Sequence, residues 1–215
     1  MSRLTRARYA DGIAALGTAD ADLGAVVERF GPPPLWRRPQ GFPTLMLLIL
    51  EQQVSLASAR ATHRRLVARL DGRLEPAPFL GLSDDDLKSV GFLRQKARYG
   101  RALADAVAGG ALRLDRLARL DDDAVRDRLT AITGIGRWTA DIYLMMALGR
   151  PDVWPVGDLA LAVAAERVKG LATRPDADPL TALGEGWRPW RAVAARILWH
   201  YYLNAVRRRK ETEPA

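Results

Sequence analysis

Leu129-Thr130-Ala131-Ile132-Thr133-Gly134-Ile135-Gly136-Arg137-Trp138-Thr139-Ala140 is the stretch that decides the fold. Leu129, Ile132 and Ile135 are spaced to bury one side of a helical hairpin, and Gly134 and Gly136 mark the turn between its arms. Glycine at both places admits backbone conformations that other residues resist, and lets the main chain come close to a ligand. At the start of the second arm, unpaired N–H groups and the positive end of the helix dipole point outward. A phosphate oxygen suits that geometry, and such a contact positions DNA without reading its sequence. Taken in isolation, a Gly-x-Gly turn reads more readily as a tight link between two packed helices.

Outward from the hairpin, apolar residues recur at three- and four-residue spacing and strand signals are scarce, so the fold class is all-α. Helices are predicted over residues 7–15 and 21–30, followed by Gly31-Pro32-Pro33-Pro34, which stops helical structure and stiffens the connector. One long helix is predicted over 44–70, ending at Asp71-Gly72. Ser83-Asp84-Asp85-Asp86 reads as a capped helix start with an acidic first turn. Gly91 to Ala97 reads as a turn into a helix that Gly109-Gly110 ends, and Asp121-Asp122-Asp123 opens the arm leading to Leu129. Gly149-Arg150-Pro151 breaks the chain again, with helices expected over 159–168, 179–183 and 189–206 and a frayed tail from Arg207. Two lobes are expected: a central helical bundle over 41–150 that holds the hairpin, and a second formed by 1–40 with 151–215.

Composition removes several chemistries. The 215 residues include no cysteine, so disulfides, thiol nucleophiles, thiolate-bound metals and cysteine-ligated iron–sulfur clusters are excluded. Two histidines, His63 and His200, do not make a zinc site by themselves. The net charge of +8, from 33 basic against 25 acidic side chains, favours a polyanionic partner. No stretch approaches the roughly 20 apolar residues of a membrane span, and the N-terminus has no secretory pattern, so no membrane association and a cytoplasmic location are expected.

The hairpin stretch resembles the helix-hairpin-helix motif of the HhH-GPD DNA glycosylase superfamily, and Gly134-Ile135-Gly136-Arg137-Trp138-Thr139-Ala140 is similar to its alkylpurine branch, bacterial 3-methyladenine DNA glycosylase II. Three further segments follow the family's order. Ile49-Leu50-Glu51-Gln52-Gln53-Val54-Ser55 is similar to the segment that supplies a wedge into the DNA stack. Asp152-Val153-Trp154-Pro155-Val156-Gly157-Asp158 resembles the segment bearing the catalytic aspartate, and Trp187-Arg188-Pro189-Trp190-Arg191 a late signature. The separation from Gly136 to Asp158, 22 positions, is also the family's. By local sequence alone Asp158 is the N-cap or a first-turn residue of a helix; the resemblance makes it the expected catalytic carboxylate.

The resemblance implies a monofunctional DNA glycosylase of base excision repair that flips an alkylated purine of the 3-methyladenine and 7-methylguanine class from double-stranded DNA and hydrolyses its N-glycosidic bond, leaving an abasic site. A glycosylase for deaminated or oxidised bases, and a noncatalytic DNA-binding hairpin protein, are the alternatives. DNA contacts are expected from Gly134, Ile135, Gly136, Arg137 and Thr139, with Gln53 as the wedge and Gln52 toward the opposing strand. Arg94 is a further phosphate candidate. Trp138 and Trp199 match stacking positions of the base pocket, and Tyr143 lies one position beyond the family's pocket tyrosine. Trp138 also stands where bifunctional relatives carry a Schiff-base lysine, and Lys88 and Lys96, the lysines before it, lie outside that motif. The resemblance further implies no organic cofactor, a monovalent Na+ or K+ on the carbonyls of Thr133 and Ile135, a monomer near the nucleoid, and the lack of the longer enzymes' N-terminal β-containing domain.

Overall fold

The computed structural model describes residues 3–207, and every regular element among them is helical, as the apolar periodicity requires. Contacts divide the described residues into two compact units, one of Arg38–Leu148 and one that joins residues 3–37 with residues 149–207. In chain order the α-helices are α1 (Arg6–Ala19), α2 (Ala21–Phe30), α3 (Phe42–Glu51), α4 (Leu56–Arg69), α5 (Pro76–Leu80), α6 (Asp84–Ser89), α7 (Arg94–Ala108), α8 (Asp122–Thr130), α9 (Arg137–Tyr143), α10 (Leu159–Val168), α11 (Ala177–Glu185) and α12 (Arg191–Tyr201). A 3-10 segment covers Leu114–Arg119, and wider π turns extend α9 over Leu144–Leu148 and α12 over Tyr202–Arg207. No helix among the described residues is long and apolar enough to cross a membrane.

The Arg38–Leu148 unit is built around α3, whose Leu45, Met46, Leu48 and Ile49 are all buried without solvent access. Nearly every position of α3 is apolar, which fits a helix packed on several sides. Gly41 and Pro43 start it. The single helix expected over 44–70 is corrected here: α3 stops at Glu51 and α4 starts at Leu56. The local chemistry gives the reason. The Ser55 hydroxyl accepts from Ser58 N at 3.2 Å and caps α4, while Gln53 takes a left-handed φ of 55° that no helix accommodates.

In the other unit, α1 and α2 meet at Asp20, whose carboxylate caps α2 by accepting from the amides of Asp22 and Leu23. The same carboxylate accepts from Lys169 Nζ at 3.0 and 3.1 Å and from Trp187 Nε1 at 2.8 Å, so one side chain ties α2 to the end of α10 and to the segment before α12. The buried Arg196 on α12 donates to Leu35 O and Ala192 O, which fixes the proline-rich connector against that helix. Helix α12 begins at Arg191, two residues after the expected start. Of the expected tail, Arg207 closes the last π turn, and residues from Arg208 onward lie outside the described residues.

Burial pushes the Asp20 carboxyl up, but hydrogen bonds from Trp187, Lys169 and Leu23 outweigh it, so its value lies below the ordinary carboxylate range. An acid with a depressed folded-state value contributes stability above its unfolded value, and that contribution is lost as pH falls through the folded value. Chemical denaturation should therefore show stability declining below about pH 4. Asp20→Asn should lower stability at pH 7 and flatten that acid arm; an unchanged slope would remove Asp20 from the account.

Candidate DNA-facing elements and catalytic carboxylate

The hairpin lies in the Arg38–Leu148 unit, with α8 and α9 as its arms. Leu129, Ile132 and Ile135 are buried, and Ile135 N closes the turn on Ile132 O at 3.0 Å. The two glycines differ in what they do. Gly134 has φ of 93°, and a Cβ there would stand 2.1 Å from Tyr99 Cγ, so both conformation and packing require glycine. Gly136 has an ordinary φ of −90°, contrary to the reading that both glycines need special backbone, and a Cβ there would meet nothing within 4 Å. The fold itself thus places no demand for glycine at 136.

Arg137 carries a half-exposed side chain whose Nε donates to Asp141 Oδ2 at 3.2 Å. Asp141 has no solvent access and also accepts from Arg126 Nε at 2.7 Å, so one carboxylate joins α8 to α9. Burial pushes its carboxyl up, while the Arg126 and Arg137 guanidiniums pull it back. The side chain of Ile135 is core, as its spacing with Leu129 and Ile132 predicts, which leaves its backbone for a ligand. Thr139 is 2% exposed and its hydroxyl accepts from Gln52 Nε2, which turns it inward. Tyr143 is fully buried, and its hydroxyl accepts from Gly41 N at 3.0 Å. Burial raises the Tyr143 hydroxyl's pKa, and the residue serves the core of its unit rather than a base pocket. Trp138 is half-buried at the start of α9.

Gln52 and Gln53 occupy the break between α3 and α4. Gln53 is exposed at its tip, flanked by the exposed Val54 and Leu56. Gln52, expected toward the opposing strand, is half-buried, and its amide donates to Gly134 O at 2.9 Å and to Thr139 Oγ1 at 3.2 Å. Lys96 Nζ donates to Leu50 O at 2.5 Å, and burial lowers its pKa. Arg94 is exposed at the start of α7.

Asp158 belongs to the other unit. It is the N-cap of α10, following Gly157 at φ of 79° and preceding the 62% exposed Leu159. Its Oδ1 accepts from Leu161 N at 2.9 Å and from Trp199 Nε1 at 3.1 Å. The cap and the indole together fix the plane of a half-buried carboxylate. Trp154 and Trp187 pack against each other in the core, with ring centroids 5.4 Å apart. No group of three or more histidine, aspartate or glutamate side chains suited to a metal occurs among the described residues.

Residues 46–189 match the HhH-GPD superfamily base excision DNA repair protein family. The chain belongs to the HhH-GPD superfamily. AlkA of Mycobacterium tuberculosis is 34% identical over 87% of this chain, which covers 38% of AlkA. YfjP of Bacillus subtilis is 29% identical over 82% of the chain, which covers 64% of YfjP. The chain thus spans less than two thirds of either relative. Among solved structures, the DNA-3-methyladenine glycosidase of Bacillus halodurans is 31% identical, with a TM-score of 0.75 over 90% of this chain and 89% of its own. Within this HhH-GPD chain, sequence reasoning missed Tyr99 and Asp141. Nothing local marks Tyr99. Asp141, a carboxylate inside an apolar run and four residues after Arg137, carried a readable signal.

Proposed function

We propose that this HhH-GPD protein is a monofunctional DNA glycosylase that hydrolyses the N-glycosidic bond of alkylated purines in double-stranded DNA. The observation that carries this reading is Asp158, whose Oδ1 accepts from the α10 cap amide and the Trp199 indole, in a chain of a base excision repair family. Its similarity to the Bacillus halodurans DNA-3-methyladenine glycosidase supports the same reading.

In this reading the hairpin holds a phosphate through backbone N–H groups at Gly136 and Arg137. Gly136, which neither conformation nor packing requires to be glycine, leaves room for that approach. Gln53 fills the space of the extruded base, whose rotation costs a few kcal/mol. As the glycosidic bond breaks, its electron pair goes to the purine, and a purine alkylated at N3 or N7 leaves neutral. Positive charge grows on the sugar, where Asp158 opposes it; water then bonds to C1′ and gives up a proton. The resemblance gives Trp138 and Trp199 stacking positions, and an indole face against a cationic base is worth about 0.5–2 kcal/mol. Lys96 is engaged on the end of α3, which fits hydrolysis without Schiff-base chemistry.

No cofactor takes part in this chemistry. The resemblance implies a monovalent cation on the carbonyls of Thr133 and Ile135, where it would neutralise a phosphate. The reading implies a monomer that works in the cytoplasm alongside nucleoid DNA. Incubation with methylated duplex DNA should release 3-methyladenine or 7-methylguanine, leave intact abasic strands, and yield no borohydride-trapped adduct. Release of only deaminated or oxidised bases, or an adduct dependent on one lysine, would overturn the assignment.

A further inference from the structure

The excursion between α3 and α4 is held firmly at its first residue and bare at its second. Glu51 forms a two-pronged ion pair with Arg38, at 2.8 and 2.9 Å, and its side chain is only 2% exposed. Lys96 fixes the carbonyl of Leu50. Gln52 then directs its side-chain amide to two acceptors on the hairpin, the carbonyl of Gly134 in the turn and the hydroxyl of Thr139 in the first turn of α9. Both amide hydrogens have an acceptor. The next residue, Gln53, is exposed and in the left-handed region, a conformation that persists in a non-glycine residue when its neighbours over-determine it.

Two operations of the proposed reaction therefore meet at one side chain. The hairpin turn would hold the DNA backbone, and Gln53 would enter the base stack. A wedge must keep its register with the gripped phosphate, because a displacement of about 1 Å at an inserted group loses much of its effect. Among the described residues, the side-chain hydrogen bonds that tie this excursion to the hairpin come from Gln52.

We propose that Gln52 is a positioning residue that couples the hairpin's hold on DNA to insertion of Gln53, without itself touching the nucleic acid. This rests on the glycosylase reading above for the identity of the two operations. It does not depend on Asp158. Gln52 thus acts on base extrusion, a step before bond breakage.

Gln52→Met tests the coupling, since it keeps chain length and volume but removes the donor. The probe is a duplex carrying 7-methylguanine next to 2-aminopurine, whose fluorescence rises when its neighbour unstacks, read on an Asp158→Asn background that silences chemistry. With Gln52 present the signal should rise. Gln52→Met should reduce that rise about as much as Gln53→Ala does, and the two together should lose little more than either alone. In the Asp158 chain, single-turnover base release should fall about ten-fold, the order expected for two lost hydrogen bonds. Affinity for undamaged duplex and its salt dependence should stay within about two-fold, since no phosphate contact is removed.

A full fluorescence rise in Gln52→Met, independent losses that multiply, a fall in undamaged-duplex affinity, or no rise even with Gln52 present would overturn the coupling. A thermal midpoint matching wild type separates these outcomes from misfolding, and Gln52→Glu, which replaces a donor with an acceptor facing Gly134 O, should reproduce the loss if Gln52→Met is unstable. Normal extrusion without base release from any methylated duplex would instead sink the glycosylase reading and leave the coupling standing.

Discussion

Asp158→Asn should slow base release from methylated DNA by about three decades at saturating enzyme, while affinity for the same duplex changes little. The size follows from elementary electrostatics. Opposite unit charges ~4 Å apart at an effective dielectric of ~20 attract by about 4 kcal/mol, and each 1.36 kcal/mol realised only in the transition state is roughly a factor of ten. Asparagine retains the shape and an oxygen for the Leu161 amide and the Trp199 indole, and it is as good an N-cap as aspartate, so α10 should survive the change. Single-turnover release by the two proteins, with thermal unfolding as a control, separates lost chemistry from lost fold. Equal rates would return Asp158 to an ordinary cap.

Those two donors show where the sequence is legible and where it stops. Local boundary signals were readable: a glycine and three prolines end α2 at Phe30, two glycines end α7 at Ala108, and Asp158 opens α10 at Leu159. Each works within a few residues of itself. The bond from Trp199 to Asp158 spans 41 positions and the bond from Gln52 to Gly134 spans 82, and no periodicity encodes a pairing of that reach. The break at Gln52 was hidden for a related reason. Apolar spacing continues through Val54 and Leu56 as if one helix ran on, although both side chains are exposed. Tyr143 stands one position beyond the family's pocket tyrosine, and the partner that marks it as core, Gly41 N, lies 102 positions away.

Asp141→Ala should be among the most destabilising single substitutions in the hairpin, because it removes the carboxylate that two guanidiniums share. Arg126 has a side chain only 12% exposed, and after the change its remaining carboxylate is Asp123, which is itself 87% exposed. Breaking a buried pair from one side costs about 3–5 kcal/mol, since the other charge stays desolvated. For a chain of this size each 1 kcal/mol lowers the unfolding midpoint by roughly 2–4 °C, so a drop on the order of 10 °C is expected. Arg137→Ala provides the contrast. Its side chain is 57% exposed, so the same carboxylate loses a partner that contributes little to stability, while the cation expected to meet a phosphate is removed. Thermal unfolding should therefore separate the two variants strongly, with Asp141→Ala far below Arg137→Ala. DNA affinity measured against salt should show a slope shallower by about one for Arg137→Ala. Similar midpoints for both would mean that the hairpin arms are held by their apolar contacts alone, and that the buried carboxylate serves only to aim Arg137.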